Sequence, residues 1–175
     1  MRKLFVLSTL LLCLAGCSSS TISYPYAKEP NPRTSEYVIG VSDRLQITVW
    51  KNPELNTEIH VRPDGTITMP LIGDVNADGL TPTELKSKIT ERLGAFIKEQ
   101  SATVSVAVTE VASYRVTISG SVVTPGMFSS KQYLTVADAI ALAGGPNRFA
   151  NPEQAVIIRR DKRGNVRRIP VNYTE

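Results

Sequence analysis

Apolar and polar positions alternate along this chain with two different periods, and the changes of period mark its elements. Leu4 to Leu14 form an apolar run interrupted only by Ser8 and Thr9, and a polar stretch from Ser18 to Arg33 follows, punctuated by Pro25, Pro30 and Pro32. From Tyr37 the pattern becomes regular. Leu45, Ile47 and Val49 alternate with Gln46 and Thr48, which predicts a strand with one buried face. Ile59-His60-Val61 leads through Pro63-Asp64-Gly65 to Ile67 and Met69, and an Asp-Gly pair between alternating runs predicts a hairpin. Thr81-Pro82-Thr83-Glu84 has the form of a capping box with proline at the first helical position, and Leu80 and Leu85 occupy the staple positions. The apolar stripe Leu85, Ile89, Leu93, Phe96, Ile97 then has helical spacing, and Val104, Val106 and Val108 return to period two. These segments predict an α+β unit from about Tyr37 to Glu110.

A second unit begins near Tyr114. Val116 and Ile118 predict a short strand, Pro125-Gly126 a turn, and Leu134-Thr135-Val136-Ala137-Asp138 repeats the capping logic of the first helix. That helix places Ala139, Ile140 and Ala143 inward and stops at Gly144-Gly145-Pro146. Ala155 to Ile158 and Val166 to Val171 predict a hairpin around Asp161-Lys162-Arg163-Gly164-Asn165. A unit of this size is marginal alone, so it is expected to pack on the first unit or on a neighbouring subunit.

The amino-terminal run has a different meaning. Arg2 and Lys3 precede it and the small residues Ala15 and Gly16 close it, the layout of a secretory signal over residues 1–16. The run is shorter than the roughly 20 residues a membrane-spanning helix needs. Leu14-Ala15-Gly16-Cys17 resembles the lipobox of bacterial lipoproteins, which implies acylation of Cys17 and, with Ser18 next, an outer-membrane address. Residues 17–34 then read as a lipidated flexible tether, and sixteen extended residues would reach about 50 Å at roughly 3.3 Å each.

Composition alters this picture in two ways. The formal charge of +4 loses two when Arg2 and Lys3 depart with the signal, so the remaining chain is only mildly basic. Of the two cysteines, Cys13 departs too, which leaves Cys17 to the lipid and no thiol for a disulfide.

Candidate chemistry is sparse. His60 is the only histidine and sits in a predicted strand without metal or triad partners, a surface or strand-pairing position. Asp43, Asp64, Asp74 and Asp78 are candidates for a sugar-cleaving carboxylate pair, but Asp64 and Asp78 adjoin glycines, where turn geometry accounts for them better. No constellation for catalysis or cofactor binding emerges. Arg159, Arg160, Lys162, Arg163, Arg167 and Arg168 crowd the last hairpin against Asp161 alone. This cluster suits an anionic glycan, lipid head groups or an acidic partner, and equally a solvated edge strand. Nucleic acid is excluded by the export signal. Tyr37 and Trp50 are aromatic candidates for sugar contact, with Trp50 expected in the core at the end of its apolar strand.

Tyr37-Val38-Ile39-Gly40-Val41-Ser42-Asp43-Arg44-Leu45 with Val49-Trp50 resembles the opening of the polysaccharide biosynthesis/export domain. Val61-Arg62-Pro63-Asp64-Gly65, Pro70-Leu71-Ile72-Gly73, Gly79-Leu80-Thr81 and Val104-Ser105-Val106 agree in order. Ile118-Ser119-Gly120-Ser121-Val122, Pro125-Gly126 and Ala143-Gly144-Gly145 resemble the soluble-ligand-binding β-grasp module that follows in that family. The resemblance implies an export domain over 35–112 and a β-grasp domain over 113–175. It also implies a non-enzymatic role: ring oligomers of the chain conduct capsular polysaccharide or exopolysaccharide across the periplasm to the outer membrane. The implied partners are copies of itself, an inner-membrane polysaccharide co-polymerase, the polysaccharide, and the membrane through the lipid anchor. Two departures stand out. Ser42 replaces a glycine usual in the family, and Val166 to Glu175 hold no apolar helical stripe of the kind that lines the pore in long members, which makes an outer-membrane β-barrel a further candidate partner. The competing expectation is a monomeric glycan- or peptidoglycan-binding lipoprotein.

Overall fold

The computed structural model of the 175-residue chain describes residues 24–29, 31, 33–97, 103–160 and 164–173. The chain forms two compact units, one of Pro30–Ala155 with Asn172–Glu175, the other of Met1–Glu29 with Val156–Val171. Helices and strands mix throughout, and the α+β class expected from the sequence holds.

In the larger unit, β1 (Arg44–Val49) is the centre of a three-stranded antiparallel sheet between β2 (Thr57–His60) and β5 (Val104–Glu110). Its strict alternation sends Leu45, Ile47 and Val49 into the core, each at most 3% exposed. The predicted hairpin through Pro63-Asp64-Gly65 is only partly formed. Gly65 takes φ +79° and the Arg62 amide donates to the Thr66 carbonyl at 2.9 Å, but β3 (Thr66–Met69) pairs with β4 (Gly73–Asn76) instead of continuing along β2. The reason is visible in burial: Ile67, Met69 and Val75 share one face, and pairing β3 with β4 buries all three.

Helix α1 (Pro82–Leu93) starts as its sequence requires. The Glu84 amide donates to the Thr81 hydroxyl at 3.2 Å and the Thr81 amide to the Glu84 carboxylate at 2.8 Å. Glu36 adds a cap that the local sequence does not announce, accepting from the Thr83 amide and hydroxyl at 3.1 and 2.6 Å. Leu85, Ile89 and Leu93 are fully buried and join the sheet residues in one core. The stripe ends there. Phe96, expected to extend it, lies beyond the last helical turn and is 59% exposed.

The rest of this unit is a thin layer. Strands β6 (Arg115–Ile118) and β7 (Gly126–Ser129) form a hairpin, and α2 (Val136–Leu142) follows with its own capping box between Thr135 and Asp138. The helix closes where Gly144-Gly145 predicted, with the Gly145 amide donating to the Ile140 carbonyl at 2.9 Å. Ala143 is the one fully buried apolar residue among the described residues of this layer, while Val123, Met127 and Phe149 are between 61 and 72% exposed.

The smaller unit contains the two-stranded sheet of β8 (Ala155–Arg160) and β9 (Val166–Val171), as expected, with Asp161, Lys162 and Arg163 outside the described residues. The segment Tyr24–Glu29 binds this hairpin. The Tyr26 hydroxyl donates to the Pro170 carbonyl at 2.6 Å, and Glu29 receives Tyr24 at 2.6 Å and a close pair from Arg167. These six residues, expected within a free tether over 17–34, are therefore anchored by hydrogen bonds and an ion pair.

Candidate functional site

Among the described residues one polar side chain is fully buried with the core, Asp43. Five donors converge on its carboxylate. Oδ2 accepts from the Gly40 amide at 2.8 Å, the Ser113 hydroxyl at 3.1 Å and, through a short bond, the Tyr37 hydroxyl. Oδ1 accepts from the amides of Ala112 and Ser113, both at 2.8 Å. Burial pushes the carboxyl pKa up, but the Tyr37 hydroxyl and then the three amides outweigh it and hold the group below the ordinary carboxylate value. Tyr37 responds in the opposite direction: burial, then the adjacent Asp43 carboxylate, push its phenol up.

The backbone around this carboxylate connects three separate stretches of sequence. The Ser42 amide donates to the Val61 carbonyl and the Val61 amide to the Asp43 carbonyl, at 2.9 and 2.8 Å. Ile39 exchanges hydrogen bonds with Gly79 and Leu80 in the turn before α1. The third stretch is 112–113, where the chain leaves β5 for the second layer. Tyr37, Tyr114 and Tyr133 carry the junction outward as ring contacts at 5.6 and 4.9 Å between centroids. Gly40 is indispensable to the closeness of this packing, because a Cβ there would lie 2.5 Å from the Ser113 Cβ. Ser42 occupies φ +77°, a left-handed conformation that glycine adopts without the Cβ penalty. Its hydroxyl accepts from Arg115 at 3.2 Å, one more tie to the second layer. Asp43 thus has no lone pair or proton to spare for sugar cleavage. It works as a clamp.

Two of the other candidate carboxylates, Asp64 and Asp74, are also committed. Asp64 pairs with Arg62 at 2.6 Å and accepts from Thr66, and Asp74 pairs with the same Arg62 at 3.2 Å and accepts from the Thr68 hydroxyl at 2.6 Å. Hydrogen bonds from the threonines hold both carboxyl groups below the ordinary range, with Arg62 contributing. Asp78 lies against the Gly65 turn. His60 pairs in register with Arg44 on the exposed side of β2, as a strand-pairing residue. No group of side chains that could hold a metal ion occurs among the described residues.

Trp50 departs from its expected place in the core. It is 67% exposed, and the cause is the strand period itself: Val49 points inward, so residue 50 points out. The Trp50 amide donates to the Thr103 carbonyl at 2.9 Å, which extends the β1–β5 ladder by one step, and Lys51 turns the chain away at φ +63°.

The basic cluster is less free than its composition suggests. Arg159 and Arg167 both face Glu29, with Arg159 at 3.6 Å. A hydrogen bond from Tyr24, opposed by burial and reinforced by the two guanidiniums, holds the Glu29 carboxyl below its ordinary value. Arg160 and Arg168 alternate out of phase with Arg159 and Arg167, and lie with the exposed Val156, Ile158 and Val166 on the other face of the hairpin. Lys162, Arg163 and the lipidation candidate Cys17 lie outside the described residues. No helix among the described residues is long and apolar enough to cross a membrane.

A core α+β unit clamped through the buried Asp43 to a thin second layer defines an α+β protein of two successive modules. Comparison with known families gives this class a name. Residues 31–107 match the polysaccharide biosynthesis/export protein family and residues 115–170 match the SLBB domain. The chain belongs to the polysaccharide export family. It is 33% identical over 136 residues to the exopolysaccharide production protein ExoF of Rhizobium meliloti (strain 1021), covering 70% of this chain and 31% of that protein. It is 22% identical over 137 residues to the polysialic acid transport protein KpsD of Escherichia coli, covering 78% and 24%. With the capsule polysaccharide export protein BexD of Haemophilus influenzae the identity is 25% over 127 residues, covering 61% and 32%. The chain therefore spans about a third or less of the length of these relatives. Their names place the family in polysaccharide production and export.

Proposed function

We propose that this chain is a non-enzymatic lipoprotein component of a capsular polysaccharide or exopolysaccharide export channel. Residues 1–16 direct secretion, Cys17 carries the lipid, and an export domain over 35–112 and a β-grasp domain over 113–175 assemble with copies of themselves into a ring. The chain is held at the outer membrane facing the periplasm. The polymer is driven by its synthesis or by an inner-membrane co-polymerase, and an outer-membrane β-barrel is a candidate for the last part of the route. The observation that carries this reading is the succession of an export domain and an SLBB domain along one chain.

Two features of the surface support assembly and anchoring. The second layer leaves Val123, Met127 and Phe149 exposed with little core of its own, which suits a module completed by a neighbour. Tyr24–Glu29 ties the anchoring end of the chain to a hairpin that presents Val156, Ile158 and Val166 beside Arg160 and Arg168, a composition suited to an anionic lipid surface. Labelling with radioactive palmitate tests the anchor: the wild type takes up label and Cys17→Ser does not. Light scattering on detergent-extracted protein tests the assembly. A closed multi-subunit ring that leaves host polysaccharide at full length supports the channel. A monomer with measurable affinity for oligosaccharide or peptidoglycan would instead make the chain a receptor.

A further inference from the structure

We propose that Trp50 and the cleft beside it form a saccharide subsite that holds a pyranose ring of the exported polymer. This rests on the export reading and narrows it to one place of contact. The sheet register builds the site. Thr48 lies opposite Ser105 in the β1–β5 ladder, and both alternate with inward residues, so their hydroxyls share the outer face. One step further, the hydrogen bond from Trp50 to Thr103 sets those two residues side by side on that same face. Lys51, in its left-handed conformation, reverses the chain directly after the indole. Asn56 fixes the far wall, its Oδ1 accepting from the Val49 amide at 2.7 Å. The resulting open cleft has a volume of about 560 Å³, within the roughly 300–1,000 Å³ typical of small-ligand sites.

The chemistry of the lining selects the occupant. A pyranose presents a patch of C–H groups to one side and hydroxyls around its rim. An exposed indole face receives the first, and Thr48, Thr103, Ser105 and Asn56 present hydroxyl and amide groups to the second. Among the described residues Lys51 is the one charged side chain lining the cleft, which suits neutral or acidic sugars better than basic ones. The open shape also suits transport, because a polymer that must move on needs contacts favourable enough to enter and weak enough to leave.

Trp50 is the single tryptophan of the chain, so intrinsic fluorescence reads the site directly. The full chain, extracted in detergent, is titrated with short fragments released by mild acid from the host strain's own surface polysaccharide. The expected result is a saturable blue shift with a weak, millimolar-range midpoint, and an emission spectrum that stays unchanged overturns the proposal. In cells, Trp50→Ala should lower surface polymer at least fivefold while Trp50→Tyr retains most export, with ring size unchanged in both. Wild-type export by Trp50→Ala overturns the subsite, and so does a defect accompanied by loss of the ring, which would assign Trp50 to a subunit contact. Gene deletion separates the two levels. If deletion abolishes export and Trp50→Ala does not, the subsite fails and the export reading stands. If deletion leaves export intact, both fail.

Discussion

At the scale of residues, the junction around Asp43 sets the energetics. A buried carboxylate that receives five donors is stable only while all five stay in place, because an uncompensated charge or an unmatched donor inside a protein is costly. Asp43→Asn presents an amide N–H₂ to groups that are themselves donors, and should lower stability by about 3–5 kcal/mol. The acid dependence follows from the sign of the shift. The folded-state pKa of Asp43 is depressed, so its contribution is complete above the ordinary aspartate range near roughly pH 4 and is lost as pH falls through the lower folded value. Urea denaturation across that window should show a shallower acid limb for Asp43→Asn than for the wild type, and parallel limbs would refute the assignment. Ser42 offers the opposite test. Relief of its left-handed backbone in Ser42→Gly, less the entropy glycine adds to the unfolded chain, should stabilise the protein by about 0.5–1 kcal/mol. A loss of stability there would mean that the hydroxyl bonded to Arg115 outweighs the backbone.

At the scale of elements, the parts set by local chemistry were legible and the parts set by distant contacts were not. Both capping boxes, the glycine stop after α2, and the inward alternation of β1 formed as read, since each depends on residues a few positions apart. The Asp43 clamp was missed as a clamp because two of its amides come from Ala112 and Ser113, and no local pattern links them to position 43. Glu36 reached Thr83 in the same hidden way. Trp50 is a different lesson: its place at the end of an apolar strand pointed to the core, but its outward phase was already written in the alternation of Leu45, Ile47 and Val49. Phe96 fits helical spacing beyond the point where the helix ends. A pair of truncations measures that boundary. Ile89→Ala should cost about 2–5 kcal/mol, as a cavity in the core, and Phe96→Ala less than about 0.5 kcal/mol. Equal losses in thermal unfolding would place Phe96 inside the core after all.

At the scale of the whole molecule, the described residues separate into a well-filled α+β core, a thin layer joined to it by the Asp43 clamp, and a hairpin bound to the segment Tyr24–Glu29. Among the described residues the first has the large buried core, which is why the proposed function puts the rest to use in contacts with membrane, neighbouring subunits and polymer. The family resemblance was legible because the motifs that carry it contain the structural turns and clamp residues themselves: Gly40, Asp43 and Gly65 each have a packing role that the structure makes explicit. Of the surfaces that would meet partners, the basic hairpin and Trp50 were legible as residues, but the exposed faces on which they lie emerged only with the fold. The central claim is that polymer leaves the cell through an assembly containing this chain. Polysaccharide measured separately at the surface and in the periplasm, in strains with and without the gene, tests it most directly. The account predicts that deletion lowers surface polymer at least tenfold while polymer accumulates behind the outer membrane, and that the gene restored in trans reverses both. Surface polymer at wild-type levels in the deletion strain would contradict it.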